Sequence, residues 1–363
     1  MSEEPRSALH VSYEALGARF ASVRGRLMPE RFGTVEDECA TVRTAAGVVD
    51  RSDLGYLTAS GGDAQRFLQG MVSNEVAALA PGQGTYALHL NTQGHIVADF
   101  YLLAMPDHFL LEAARNRVDA LRAGLERYIV ADDVELADRS DQFAALSVEG
   151  PAAGRLLTAA GAATLPGKEF NHVRVQLGGP VLVVRLSETG EEGYRLIFLV
   201  EYAQNVWDAL TAQQQAVAWK PVGHAALNIL RTEAGLPWYG IDMDERTLPP
   251  EAGLGQRALS YTKGCYIGQE IIERIRSRGR VNRRLTGLWL SGESLPAAGT
   301  KLFHNDKAVG TVTTAVHSPT LKRAIGLGYV RREHLEPGTR LRVESGGTTE
   351  VAELPFYHLP VKN

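Results

Sequence analysis

The sequence predicts an α+β protein: two units of split β-α-β rhythm followed by a small antiparallel β-barrel. Three observations carry this. Strand-like and helix-like stretches alternate between Leu54 and Val130. A similar rhythm returns between Phe143 and Gly235, at a spacing too loose for a repeat. After Leu285 helical spacing stops, and short alternating strands are punctuated by Gly, Pro and Ser.

A polar leader runs to about Glu14. Tyr56–Ser60 then reads as a strand leading into a helix opened by Asp63 as N-cap, with Phe67, Leu68, Met71 and Val72 on one face. Pro81-Gly82 turns the chain. Thr85–Asn91 and His95–Leu103 form a hairpin around Thr92-Gln93-Gly94. A strand near Phe109 precedes a helix from about Asn116 to Tyr128. In the second unit, Phe143–Val148 is a strand, and Pro151 opens a short helix that Gly161 ends. His172–Leu177 and Val181–Leu186 form another hairpin, Tyr194–Val200 is a buried strand, and Ala203–Ala212 a helix. Pro221 opens a helix that turns Ala226, Leu227 and Leu230 inward. Leu285–Leu290, Lys301–Phe303, Val309–Val316, Ala324–Val330, Arg340–Val343 and Val351–Phe356 are the barrel strands, with a domain boundary near Arg280.

The chain has 363 residues, with 38 basic and 42 acidic side chains, a formal net charge of −4. That balance argues against a dedicated nucleic-acid binder. Its two cysteines, Cys39 and Cys265, cannot make a disulfide framework. The first residues are polar and acidic, and no apolar run reaches the length of a membrane span, so a cytoplasmic, membrane-free protein is expected. No phosphate-binding loop, dinucleotide fingerprint, zinc spacing or nucleophile elbow is present. His89 and His95 read as a polar strand pair, and no resident metal is expected.

One segment stands out: KGCYIGQE, Lys263–Glu270. Cys265 sits between Gly264 and Tyr266, with Lys263 before it and Gln269 and Glu270 after it. A thiol beside cations and just ahead of a helix N-terminus is shifted toward thiolate, the nucleophilic and metal-binding form. Six arginines follow: Arg274, Arg276, Arg278, Arg280, Arg283 and Arg284. The plain alternative is a small buried hydrophobe followed by a solvated face.

KGCYIGQE, with Arg274 and Arg278-Gly279 after it, resembles the signature of the YgfZ-type proteins, which support iron–sulfur cluster assembly within the superfamily of the glycine-cleavage T-protein. The superfamily resemblance extends from about Val48 over FLQGMVSNEVAALAPGQGTYALHLNTQGHIVADF, VEGPAAGRLL, TGEEGYRL, LRTEAGLPWYGIDMDERTLPPEAGL and SPTLKRAIGLGYV. It implies an aminomethyltransferase-like cloverleaf around a tetrahydrofolate site, with residues 15–53 and 142–280 as one discontinuous domain, 54–141 as a second and 281–358 as the barrel. It places Tyr86 and Asp99 on the hairpin lining that site, where a carboxylate can take a proton from a folate amine. Without the resemblance, Asp99 equally fits a solvent-facing strand position. Arg231, Tyr239, Lys263, Gln269, Arg274 and Arg278 join the expected folate contacts, and Cys265 and Asp99 are the expected reactive groups. Cys265 would also suit transient ligation of an iron–sulfur cluster.

The departures matter as much as the matches. T-proteins carry two adjacent acids where this chain has Ala98-Asp99, a glutamate at Arg195, an arginine at Leu227 and an acid at Cys265. The expected function is therefore folate-linked support of iron–sulfur cluster assembly, and through it of tRNA modification. Assembly proteins or cluster-containing client enzymes are the expected partners. Tetrahydrofolate-dependent aminomethyl transfer is the alternative.

Overall fold

The computed structural model describes residues 4–359. A six-stranded sheet runs in the order His172–Gln176, Pro180–Arg185, Gly193–Leu199, Phe143–Glu149, Ala46–Asp50, Trp219–Val222. Only its last pair is parallel. A five-stranded antiparallel sheet runs Gly84–Leu90, Ile96–Ala104, His108–Ala114, Leu54–Ser60, Glu135–Asp138. The strand Ala46–Asp50 thus enters the first sheet before the whole of the second sheet has been laid down, and the chain returns at Phe143.

Six strands close the barrel: Arg283–Ser291, Arg323–Arg331, Lys307–Ser318, Lys301–His304, Arg340–Val343 and Thr348–Ala352. Closure leaves no open edge. Its interior is Leu288, Leu302, Val312, Val330 and their neighbours, each contributing about 1.5–3 kcal/mol by leaving water.

Four details differ from the sequence reading. Residues 10–15 are a helix, not a loose leader, and Tyr13 packs edge-on against Trp207 at 5.3 Å. A hairpin, Arg19–Val23 with Arg26–Arg31, follows it, invisible to periodicity because its faces mix charged and apolar residues. Asp63 precedes the helix Ala64–Met71 but does not cap it; its carboxylate accepts from the Asp133 N–H at 3.0 Å and ties that turn to a distant loop. Pro221 opens no helix. It lies in the edge strand Trp219–Val222, where a missing N–H is tolerated, and the helix His224–Glu233 starts after Gly223.

The KGCYIGQE segment leads into the helix Gln269–Arg278, docked on the tip of the Gly84–Ala104 hairpin. Two glycines permit this approach. Gly268 adopts φ +80°, and a Cβ there would lie 2.6 Å from the Asn91 carbonyl. Gly94, at φ +77°, meets Ile271. No helix among the described residues is long and apolar enough to cross a membrane.

Candidate active site

The strand Ile96–Ala104 alternates buried and half-buried residues, which sends Asp99 and Tyr101 to one face and Ala98, Phe100 and Leu102 into the core of their own unit. Tyr86 pairs in register with Tyr101, their rings 5.2 Å apart. The Tyr86 hydroxyl donates to Asp99 Oδ2 at 2.9 Å. Burial pushes the Asp99 carboxyl above its ordinary range, against the opposing pull of the Tyr86 hydrogen bond and of Arg24 and Arg257. Arg257 lies 5.1 Å from the centre of the Tyr86 ring and pairs with Glu169 at 3.3 Å.

Asp99 opens on a cleft walled by both α+β sheets and the loop Leu236-Pro237-Trp238. The far wall is a network of buried charges. Arg51, following the strand Ala46–Asp50, pairs with Glu188 and, through Nε, with Asp53 Oδ1 at 2.9 Å. Arg24, held at φ 51° in the turn of the N-terminal hairpin, reaches Asp53 Oδ2 at 2.7 Å. Burial pushes the Asp53 carboxyl up, but Arg51 and Arg24 outweigh it and hold the group well below the usual range. Arg195 donates to Glu188 through Nη2, and its Nε lies 3.5 Å from Glu112 Oε1. Tyr56 donates to Glu112 Oε2 at 2.9 Å. Trp238 packs beside this network, its ring 5.2 Å from Arg24 and 5.9 Å from Arg51.

Of the expected site residues, the structure brings Tyr86 and Asp99 to this cleft and leaves the others outside its lining. Arg231 is fully buried beside it, its donors taken by Asn228, the Leu236 carbonyl, Asp242 and Thr314. These bonds anchor the loop that presents Trp238. Tyr239 points away and donates to the Ile96 carbonyl at 3.3 Å; its neighbour Trp238 takes the wall position.

Lys263 does not serve Cys265. Its ammonium donates to the carbonyls of Gln69, Val72 and Asn74, at 2.6, 2.6 and 2.9 Å, and burial pulls it down to about 8. With its three protons so committed, it closes the end of the helix Ala64–Met71. Gln269 accepts from the Tyr266 N–H at 3.1 Å, a local turn contact. Cys265, Arg274 and Arg278 are exposed on the outer surface, so the buried-hydrophobe alternative for Cys265 is overturned. Cys39 is the buried thiol, with its pKa pushed up to about 12 by burial. His89 is buried beneath Gly124 with Nδ1 near the Met71 carbonyl, while His95 is half-buried.

Sequence reading missed Arg24, Arg51, Glu112, Glu188, Trp238 and Arg257. The only local signal was the charged VVDRSD run after a buried strand; the rest is assembled by topology. Leu227 is buried among Cys39, Val42 and Val49 and offers the cleft nothing. Among the described residues no group of three or more His, Cys, Asp or Glu is arranged to hold a metal.

Two interlocked α+β sheets, a closing barrel and a charged cleft between them define a class, and comparison with known proteins identifies it. The chain belongs to the glycine-cleavage T-protein family: residues 9–262 match the GCVT N-terminal domain and residues 283–358 the glycine cleavage T-protein C-terminal barrel domain. It is similar to the aminomethyltransferase of Streptomyces coelicolor, 32% identical over 98% of both chains. It is likewise similar to that of Rubrobacter xylanophilus, 34% identical over 97% of this chain and 94% of the relative. The crystal structure of the glycine cleavage system aminomethyltransferase T from Bartonella henselae superposes with a TM-score of 0.88 at 26% identity, covering 98% of each chain. These relatives carry the name of the alternative, not of the YgfZ-type reading that the cysteine motif favoured.

Proposed function

We propose that this protein binds tetrahydrofolate in the central cleft and transfers an aminomethyl-derived one-carbon unit to it, as its named relatives suggest. The observation that carries the reading is Asp99: a half-buried carboxylate on the cleft wall, raised by desolvation and oriented by Tyr86. The wall fits a pterin. Arg195 and Glu112 both present buried polar atoms with no hydrogen-bond partner, and Tyr101 and Trp238 offer ring faces. Tetrahydrofolate, when bound, supplies the secondary amines that accept the one-carbon unit.

Asp99 Oδ1, the oxygen that Tyr86 does not engage, takes a proton from the approaching amine or steadies its charge. Its elevated affinity for protons, set by burial, suits it to that exchange. Arg24 and Arg51 hold Asp53 ionised, and Arg51 and Arg195 pair with Glu188, so the wall holds its shape while Asp99 exchanges its proton. Residues 15–53 with 142–280, 54–141 and 281–358 are the three domains we assign around this cleft.

The test is methylenetetrahydrofolate formation from an aminomethyl-loaded lipoyl carrier protein, with a working T-protein as control. Wild-type protein forms product and Asp99→Asn does not. A wild-type protein that forms none while the control works overturns the reading.

A second reading is supported by a separate observation: Cys265 is exposed on its glycine-flanked turn and away from the cleft lining. On that reading this is a folate-binding protein that supports iron–sulfur cluster assembly, with assembly proteins or cluster enzymes docking at the thiol. Rescue of a tRNA methylthiotransferase in cells lacking this protein, by wild type but not by Cys265→Ser, supports it. Equal rescue by both removes the thiol from any such role.

A further inference from the structure

We infer that Arg195 and Glu112 together read the amide edge of the bound ring and make the cleft selective for a 2-amino-4-oxo pterin over a 2,4-diamino one. This rests on the pterin reading above. The two side chains are 1% and 2% exposed and come from different sheets, on the strands Gly193–Leu199 and His108–Ala114. Both line the cleft.

Each has one end occupied. Arg195 Nη2 donates to Glu188, and Glu112 Oε2 accepts from Tyr56. The remaining atoms, Arg195 Nε and Nη1 and Glu112 Oε1, have no hydrogen-bond partner. Nε and Oε1 lie 3.5 Å apart, close enough for charge attraction but not aligned as a hydrogen bond. Buried donors and acceptors left unpaired are costly and rare, and their cost is relieved when a ligand completes them. Here donors and an acceptor stand side by side.

A ring that carries a carbonyl next to an N–H is their complement. Guanidinium has no acceptor and keeps its protons, so the ligand atom facing Arg195 must accept. A 4-oxo group does so, while the N3–H or 2-amino group donates to Glu112. A 4-amino group turns protons toward protons and leaves Arg195 unpaired. Glu188, shared with Arg51, keeps Arg195 in place when the cleft is empty.

The test compares equilibrium binding of tetrahydrofolate and its 4-amino-4-deoxy counterpart at the same oxidation level, by titration calorimetry on the full chain. Wild type prefers the 4-oxo ring by roughly tenfold or more, as expected for one hydrogen bond to a charged group. Arg195→Gln, which presents either polarity, brings the preference to near unity. Glu112→Gln weakens both ligands and keeps the order. The wild-type comparison needs no variant to fold, so it stands alone. Equal affinity for both rings overturns the edge reader but not the pterin site. Binding of neither overturns the pterin reading, and this inference with it.

Discussion

The cleft wall and the KGCYIGQE segment carry the same kinds of residue, arginines beside acids, in opposite environments. In the cleft, Arg51 and Arg195 are 1% exposed and share Glu188, while Arg24 and Arg51 share Asp53. On the Gln269–Arg278 helix, Arg274, Arg276 and Arg278 stand in solvent, with Arg276 reaching Glu273 at 3.6 Å. Charge–charge interactions strengthen as water is removed, so the first arrangement shifts proton affinities and the second contributes almost nothing. The cysteine-motif residues that catch the eye in the sequence are therefore not those that the fold places where chemistry is altered.

The largest effect that separates the two regions is catalytic. Asp99→Asn is expected to lower one-carbon transfer by about 10²–10⁴-fold, the usual worth of a positioned acid–base group, while Cys265→Ser leaves the rate within about twofold. Both are read in the carrier-protein assay. A comparable fall in the two variants would erase the distinction drawn here. Because Asp99 acts as its carboxylate and burial raises it, the wild-type rate should climb with pH through a range above that of an exposed aspartate.

Next is a stability effect confined to the buried region. Glu149 lies beneath the loop carrying Glu188, accepting from Ser187 at 3.1 Å and Thr189 at 2.9 Å, and burial pushes it from 4.5 up to about 7. Between those values the folded protein holds a proton that the unfolded chain has released, so stability falls as pH rises through the window. Glu149→Gln removes that slope. Its advantage over wild type in urea unfolding should grow by about 2 kcal/mol between pH 5 and pH 8. A constant difference across that range would show that Glu149 is not desolvated in the way the geometry requires.

On the surface side, Gly268→Ala forces a Cβ against the Asn91 carbonyl at φ +80°, and should cost about 2 kcal/mol in the same measurement. That would show the motif's second glycine is there for docking on the hairpin. The smallest effect is Cys265→Ser on stability, within about 0.5 kcal/mol because the thiol is exposed. A larger loss would return Cys265 to the core.

Much of the fold was legible in the sequence. Alternation over Thr85–Leu103, the helical spacing of Phe67 and Leu68, and the helix-free texture after Leu285 each reflect a local periodicity that burial imposes on a strand, a helix or a barrel. The N-terminal hairpin was not legible because it has no apolar period, and the edge strand with Pro221 because it exists through pairing with the distant strand Ala46–Asp50. Asp99 and Tyr86 were reachable through the family resemblance of the local hairpin that holds them, since strand alternation alone left Asp99 equally suited to face solvent. Lys263 was misread for the converse reason: its neighbours in sequence suggest a partner for Cys265, whereas its ammonium is taken by carbonyls almost two hundred residues earlier.

By itself, then, the sequence determined the element types, which depend on residues within a turn or two of one another, and through its local motifs the glycine-cleavage T-protein superfamily. The cleft was decided by tertiary structure alone. Arg24, Arg51, Glu112, Glu188, Arg195 and Trp238 come from six separate segments, and only the return of the chain from one sheet to the other brings them together. Burial then does what no local pattern encodes: it raises Asp99, lets the arginines hold Asp53 down, and leaves Arg195 and Glu112 with unpaired atoms facing one another.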